Sequence, residues 1–374
     1  MSEPHPSGAI EVVKTADAAT RARFDVIIDV RSPAEFAIDH VPGAESLPVL
    51  SNEERAIVGT IYVQESRFRA RRLGAALVAR NVARHLETAL ADRPGSFRPL
   101  VYCWRGGQRS NAMATILAQV GWRTAVLAGG YRTYRREVTA RLYEAEPDLR
   151  VVLLDGATGT GKTEVLRRLA ARGVQVLDLE DLTQHRGSLF GALPGRPQPS
   201  QKMFESRLLG VLDRLDPARP ILVEAESSKI GERIVPPMLW KAMLAAPRIE
   251  LAAPLEARAS YLAAEYRHLE DDRAVLEDVF ARLPLRGRAL ENWRRLADDG
   301  ELETLAAGLM VGHYDPAYRR SARAEARPKL AEFVLGSLGS ADFDAAADQV
   351  AGVLASLDPP ACIQEQTLPR GNRT

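Results

Sequence analysis

At 374 residues, with 46% hydrophobic and 26% charged residues, the chain has the composition of a soluble globular protein of two ordinary domains. Its formal charge of +1 excludes a global nucleic-acid signature, so any polyanion has to be met by local patches. Cys103 and Cys362 are the only cysteines and exclude a disulfide framework; residues 1–14 lack an apolar core, and no run is long enough to cross a bilayer, so a reducing cytoplasm away from membranes is expected.

Asp25 to Val30 is a short apolar run with acidic edges and predicts a buried strand. Ser32, Pro33 and Glu35 form a helix-start pattern directly after it, and His40-Val41-Pro42-Gly43-Ala44 predicts a turn. Ser51 to Arg55 opens a capped helix, and Leu73, Leu77, Val78, Val82 and Leu86 recur at helical spacing between Ser66 and Leu90. Arg67, Arg69, Arg71 and Arg72 open this second helix and read as a solvated face.

Pro99 to Tyr102 predicts a strand and Ser110 to Val120 a helix, with Cys103-Trp104-Arg105-Gly106-Gly107-Gln108-Arg109 between them. A loop of this shape turns backbone N–H groups inward and, with the helix N-terminus, surrounds the sulfur with an anion site that lowers a thiol pKa. Arg105 and Arg109 add fixed positive charge, which makes Cys103, Arg105 and Arg109 the candidate catalytic set. A buried structural thiol is the competing reading. Thr124 to Leu127 predicts a further strand, closing in Gly129-Gly130-Tyr131, and the alternation implies a parallel sheet with Cys103 at a carboxyl end, where ligands bind. Together with Asp29-Val30-Arg31-Ser32-Pro33-Ala34-Glu35-Phe36 and the His40 turn, this segment, about 12–140, resembles a rhodanese domain. The C-x5-R-S spacing also resembles the cysteine phosphatases. A wider loop suits a tetrahedral phosphate-type anion, with Arg109 bidentate to its oxygens.

Tyr143 to Asp148 reads as a linker. Val151 to Asp155 predicts a buried strand leading into Gly156-Ala157-Thr158-Gly159-Thr160-Gly161-Lys162-Thr163 and then a helix to Ala171, the strand-loop-helix context that a P-loop requires. Gly156, Gly159 and Gly161 would wrap a diphosphate in backbone N–H groups, Lys162 would neutralise it, and Thr163 could hold Mg²⁺. Val174 to Leu179 predicts the next strand, and its polar continuation, with Asp178, His185 and Arg186, is expected to face the P-loop crevice as candidate substrate or metal groups. Ile221 to Glu226 is a third strand, whose Glu224 stands where P-loop proteins place a carboxylate for metal or water. Arg248 to Leu251 is a fourth.

From Pro254 the pattern turns helical, and the arginines from Arg258 to Arg295 alternate with Tyr261, Tyr266 and Trp293, ahead of Tyr314 and Tyr318. Such a region could bind phosphate and stack bases, or form salt-bridged helix surface. A strand over 331–338, a helix over 342–357 and a disordered tail beyond Pro359 complete the reading. It therefore divides the α/β chain into a rhodanese-like parallel-sheet domain at 12–140, a P-loop NTPase-like domain with a helical extension at 148–340, and a C-terminal helix with tail at 341–374.

The whole order resembles the bacterial tRNA 2-selenouridine synthases. The resemblance rests on Pro48 to Arg55, the Cys103 loop, the P-loop, Leu177-Asp178-Leu179-Glu180, His185-Arg186-Gly187-Ser188, Pro199-Ser200-Gln201-Lys202 and His313-Tyr314-Asp315-Pro316-Ala317-Tyr318. It implies replacement of sulfur by selenium in wobble-position 2-thiouridine of tRNA. Selenophosphate would be the donor, and S-geranyl-2-thiouridine made from geranyl diphosphate the intermediate. A monomer is expected, with a selenophosphate-producing enzyme and Mg²⁺ admitted as further partners. Two roles for Cys103 stay open at this level: carrying a perselenide, or attacking a selenophosphorylated nucleoside. The competing classes are a sulfurtransferase or cysteine phosphatase fused to a nucleotide-binding kinase-like domain, and a tRNA-binding adaptor with a vestigial site.

Overall fold

The computed structural model describes residues 9–187, 191, 195–265, 277, 280–281, 288–318 and 327–357. Along the chain, β1 (Glu11–Val13), α1 (Ala18–Arg21), β2 (Val26–Asp29), α2 (Pro33–Ile38), β3 (Ala44–Ser46), α3 (Asn52–Gln64) and α4 (Arg67–Glu87) lead to β4 (Pro99–Tyr102). Next come α5 (Gln108–Val120), β5 (Ala125–Leu127) and α6 (Tyr131–Thr139). Ser32 caps α2 as its sequence predicts: its N–H donates to Glu35 Oε2 at 3.1 Å, with Pro33 opening the helix. These strands form one parallel sheet in the order β1-β5-β4-β2-β3. The central strands β2 and β4 are buried on both faces and end in register, Asp29 beside Tyr102, so the residues that follow emerge at one carboxyl edge.

The P-loop half begins with β6 (Val151–Gly156), α7 (Lys162–Ala171) and β7 (Val176–Leu177). Then follow α8 (Leu179–Thr183), α9 (Gln201–Leu212), β8 (Ile221–Glu224), β9 (Lys229–Ile230), β10 (Arg233–Ile234), α10 (Pro237–Ala245), β11 (Arg248–Ala252) and α11 (Leu255–Glu265). The chain continues through α12 (Arg288–Asp298), α13 (Leu302–Leu309), β12 (Lys329–Val334) and α14 (Ser340–Leu357). The second sheet, β12-β11-β6-β8-β7, is also wholly parallel and centres on the strand that feeds the P-loop. Helix α14 buries Phe343, Ala346, Ala347, Val350 and Leu354 in the core of this unit, so the C-terminal helix is built into it. The tail beyond Pro359 lies outside the described residues.

The two compact units do not follow the linear division. One comprises residues 1–147, 179–215 and 226–241; the other comprises 148–178, 216–225 and 242–374. Helix α9 and the β9-β10 hairpin, neither visible as an element in the sequence pattern, therefore belong with the cysteine-bearing sheet. The cause is a buried polar network. Arg135 of α6 pairs with Glu205 of α9 and, at 3.3 Å, with Asp39, while the Tyr143 hydroxyl donates to Glu205 at 2.6 Å. Tyr143, expected in a linker, thus anchors the first unit. Glu205 is only 3% exposed, and removing one member of such a network strands the others. Glu205→Ala is expected to cost about 3 kcal/mol, measured by denaturant unfolding of the first transition.

Candidate active site: a cysteine nest and a P-loop

Cys103 follows directly on β4, and its side chain belongs to the first unit's hydrophobic core. Helix α5 begins at Gln108, two residues before the expected start, which tightens the loop around the sulfur. The Gly107 N–H donates to Sγ at 3.2 Å and the Ser110 hydroxyl at 3.3 Å. Burial pushes the thiol pKa up, but hydrogen bonds from the Ser110 hydroxyl and from the N–H groups of Gly107, Ser110 and Arg105 outweigh it and hold the pKa below the ordinary cysteine value. The Ser110 hydroxyl stabilises the thiolate, so Ser110→Ala is expected to move the pH midpoint of Cys103 alkylation upward. Below that midpoint, where thiolate is the minor form, iodoacetamide should react about tenfold more slowly, the loss expected for one hydrogen bond to a charged group.

The loop is clamped from its far side. Cys103 O accepts the Tyr131 N–H at 2.8 Å, and the Trp104 ring stacks on Tyr131 at 5.2 Å. Gly130 has φ +58°, and a Cβ there would lie 2.2 Å from Cys103 O, so only glycine fits. The Tyr131 hydroxyl donates to Asp39 at 2.6 Å, and the Arg31 guanidinium lies 4.0 Å from the Tyr131 ring centre while pairing with Asp29 at 2.6 Å. The Asp29-Val30-Arg31 segment and Asp39, read from sequence as a strand end and the approach to a turn, are thus the framework of the cysteine loop.

The two arginines differ. Arg105 is exposed, and no carboxylate partners it among the described residues. Arg109 is bonded to Glu35 Oε2 at 2.9 Å, and Arg55 reaches the same oxygen at 2.9 Å. Burial raises the Glu35 pKa, yet Arg109, the Ser32 N–H and Arg55 hold it below the usual carboxylate range. The helix-capping glutamate therefore also holds Arg109, a role that its position in sequence does not advertise.

In the second unit, Gly156, Gly159 and Gly161 all take positive φ, as a phosphate-wrapping loop requires. Gly161 has φ +75°, and a Cβ would meet the Phe343 ring at 2.3 Å, so α14 seals the loop from behind. Lys162 Nζ donates to Gly156 O at 2.9 Å, and the Thr163 hydroxyl donates to Glu224 Oε1 at 3.4 Å. Glu224 is fully buried at the end of β8, beside β6. A hydroxyl and a buried carboxylate so placed fit Mg²⁺ carried on a diphosphate, with waters completing its shell. Among the described residues no group of three or more His, Cys, Asp or Glu side chains could hold a metal. Asp178 stands one residue beyond β7, half-buried, in this unit.

His185 and Arg186 fall in the first unit with α8. His185 Nδ1 accepts the Gly187 N–H at 3.1 Å, and the Arg186 N–H donates to Gly191 O at 2.8 Å. Ser188 lies outside the described residues.

The arginine-rich region supports its salt-bridged reading where it is described. Arg258 is buried, pairs with both Asp315 oxygens at 2.9 and 2.8 Å, and donates to Thr158 O at 3.2 Å, bracing the P-loop. Arg294 pairs with Glu277 at 2.8 Å and Arg295 with Asp299 at 3.1 Å, while Trp293 is buried rather than offered for stacking. Tyr266, the arginines between 267 and 286, Arg319 and Arg320 lie outside the described residues.

A parallel sheet presenting a cysteine in a nest of N–H donors, joined to a second parallel sheet presenting a P-loop, defines a fused rhodanese and P-loop protein. The family model for a rhodanese-like domain matches residues 12–137, and that for the tRNA 2-selenouridine synthase AAA domain matches residues 149–281. The tRNA 2-selenouridine synthase of Aeromonas salmonicida is 37% identical over 258 residues, 68% of each chain. That of Bdellovibrio bacteriovorus is 35% identical over 293 residues, 77% of this chain and 73% of the relative. That of Nitrosomonas europaea is 34% identical over 244 residues, 64% and 63% of the two chains. The chain belongs to the tRNA 2-selenouridine synthase family. Among the described residues no helix is long and apolar enough to cross a membrane.

Proposed function

We propose that the protein replaces sulfur by selenium in wobble-position 2-thiouridine of tRNA, drawing on geranyl diphosphate at the P-loop and on selenophosphate at the cysteine nest. The observation that carries this reading is a thiol of lowered pKa, ringed by N–H donors at anion-binding spacing, on the same chain as a complete P-loop. Thiocarbonyl sulfur is a poor leaving group. In the first step it attacks C1 of geranyl diphosphate: a C–S bond forms, the C1–O bond breaks, and diphosphate departs onto the P-loop amides and Lys162. Thr163 and Glu224 would hold Mg²⁺ brought in with the diphosphate, which would supply charge neutralisation there. The selenium of selenophosphate then attacks C2, and the C2–S bond breaks with loss of geranylthiolate. The Cys103 thiolate attacks the phosphorus of the selenophosphorylated nucleoside, forming S–P and breaking Se–P, and releases 2-selenouridine. Water hydrolyses the S–P bond, returning the thiol and inorganic phosphate. The nest cradles the phosphoryl oxygens, and Arg105, exposed at its rim, adds charge where they gather.

The test is mass spectrometry of the wobble nucleoside after incubation of 2-thiouridine tRNA with the protein, geranyl diphosphate and selenophosphate, each omitted in turn. The expected results are a geranylated nucleoside without selenophosphate and a selenated one with it. Unmodified tRNA under every condition, together with turnover of small phosphoesters or thiosulfate, would overturn the reading.

A further inference from the structure

Helix α4 carries six arginines and a single carboxylate, Glu87 at its last position, in a chain whose total charge is +1. Its inner face is fixed by buried Ala70, Val78, Asn81 and Val82. At 100° per residue the opposite face presents Arg69, Arg72, Ala76, Ala79, Arg80 and Ala83, all of them exposed. Solvated helix surfaces ordinarily mix the two signs and pair them at i,i+4. Here, among the described residues, Arg69 alone of the six finds a carboxylate, Glu65. Arg67 lies over the Tyr62 ring at 5.7 Å, and among the described residues the other four make no ion pair.

The alternation matters as much as the charge. Alanines along the centre of the face leave the helix backbone free to approach a surface closely, and arginines on either side reach past it. From Arg69 to Arg84 the row is about 22 Å long, enough to meet several phosphates along one edge of an RNA helix. Duplex RNA offers such a reader its shape and phosphates rather than its bases, which suits a face without stacking groups at its centre. Protein interfaces, in contrast, deplete charge, and here Arg72 and Arg80 flank the centre of the face on both sides.

We propose that the outer face of α4 is a docking surface for the phosphate backbone of a base-paired tRNA stem. The identity of the RNA rests on the synthase reading above; the placement on α4 rests on the charge and shape of the helix. The experiment is filter binding of tRNA to the full chain across a salt series, comparing wild type with Arg72→Ala/Arg80→Ala and Arg72→Glu/Arg80→Glu. Both side chains are exposed and unpaired, so the variants should fold, with an unchanged rate of Cys103 alkylation as the check. Charge reversal is expected to weaken binding at least about tenfold, and the neutral double variant to flatten the slope of log K against log salt by about 2. If wild type and both variants bind tRNA equally with equal slopes, α4 is not the docking surface and the synthase reading stands. Failure of wild type to bind tRNA would overturn both. Unchanged tRNA binding with a change in oligomeric state would assign the face to a second copy of the chain and overturn the proposal.

Discussion

tRNA incubated with the Cys103→Ser variant and both co-substrates should contain S-geranyl and selenophosphorylated nucleoside and no 2-selenouridine, a loss of the final product by more than about 10³-fold. A serine hydroxyl is roughly isosteric, but it stays protonated in the nest that stabilises a thiolate, so the attack on phosphorus is lost while binding is retained. The geometry makes this a sharp prediction. The groups that surround Sγ come from Gly107, Ser110 and Arg105, all within the cysteine's own loop, and none belongs to the P-loop. Mass spectrometry of the wobble nucleoside reads both half-reactions in one digest. Full selenation by the variant would leave the thiol without a chemical role and favour a structural cysteine.

Lys162→Ala should have the opposite signature: geranylation slowed by about 10² to 10³-fold, the usual cost of removing one donor to a developing anion. The lysine opens α7 and already reaches across the loop to Gly156 O, so its ammonium stands among the N–H groups that would wrap a leaving diphosphate. When the variant is supplied with tRNA already carrying S-geranyl-2-thiouridine, selenation should proceed at the wild-type rate. Normal geranylation by Lys162→Ala would remove the diphosphate from the P-loop.

Both parallel sheets, the cysteine loop and the P-loop were legible because each is written in a short local pattern: an apolar run of strand length, glycines where φ turns positive, and a helix start directly after. What stayed hidden depends on pairs distant in sequence. Glu35 reads as a capping residue, and its second role appears only when Arg109, 74 residues later, folds against it. Arg258 looks like one more surface arginine until Asp315 takes both its arms. Helix α9 has Glu205 in its middle, and its burial depends on Arg135 and Tyr143, more than sixty residues earlier, which no periodicity could announce. The exposed alanines of α4 carry no signal in a helical spacing that leucine and valine define.

The interleaving of the two compact units bears on how the protein is made. Following the chain from its start, membership changes five times, at 148, 179, 216, 226 and 242. A ribosome that has delivered the rhodanese-like segment has not yet delivered a finished body: the cysteine sheet acquires α9 only some seventy residues later and its hairpin later still. The nascent sheet must wait with Arg135 and Tyr143 unpartnered by Glu205, while the P-loop strand is synthesised in between. Gene fragments cut near residue 148 would reproduce that waiting state permanently, and recombination that exchanged either half for a cousin's would break the polar network along with the loop it supports.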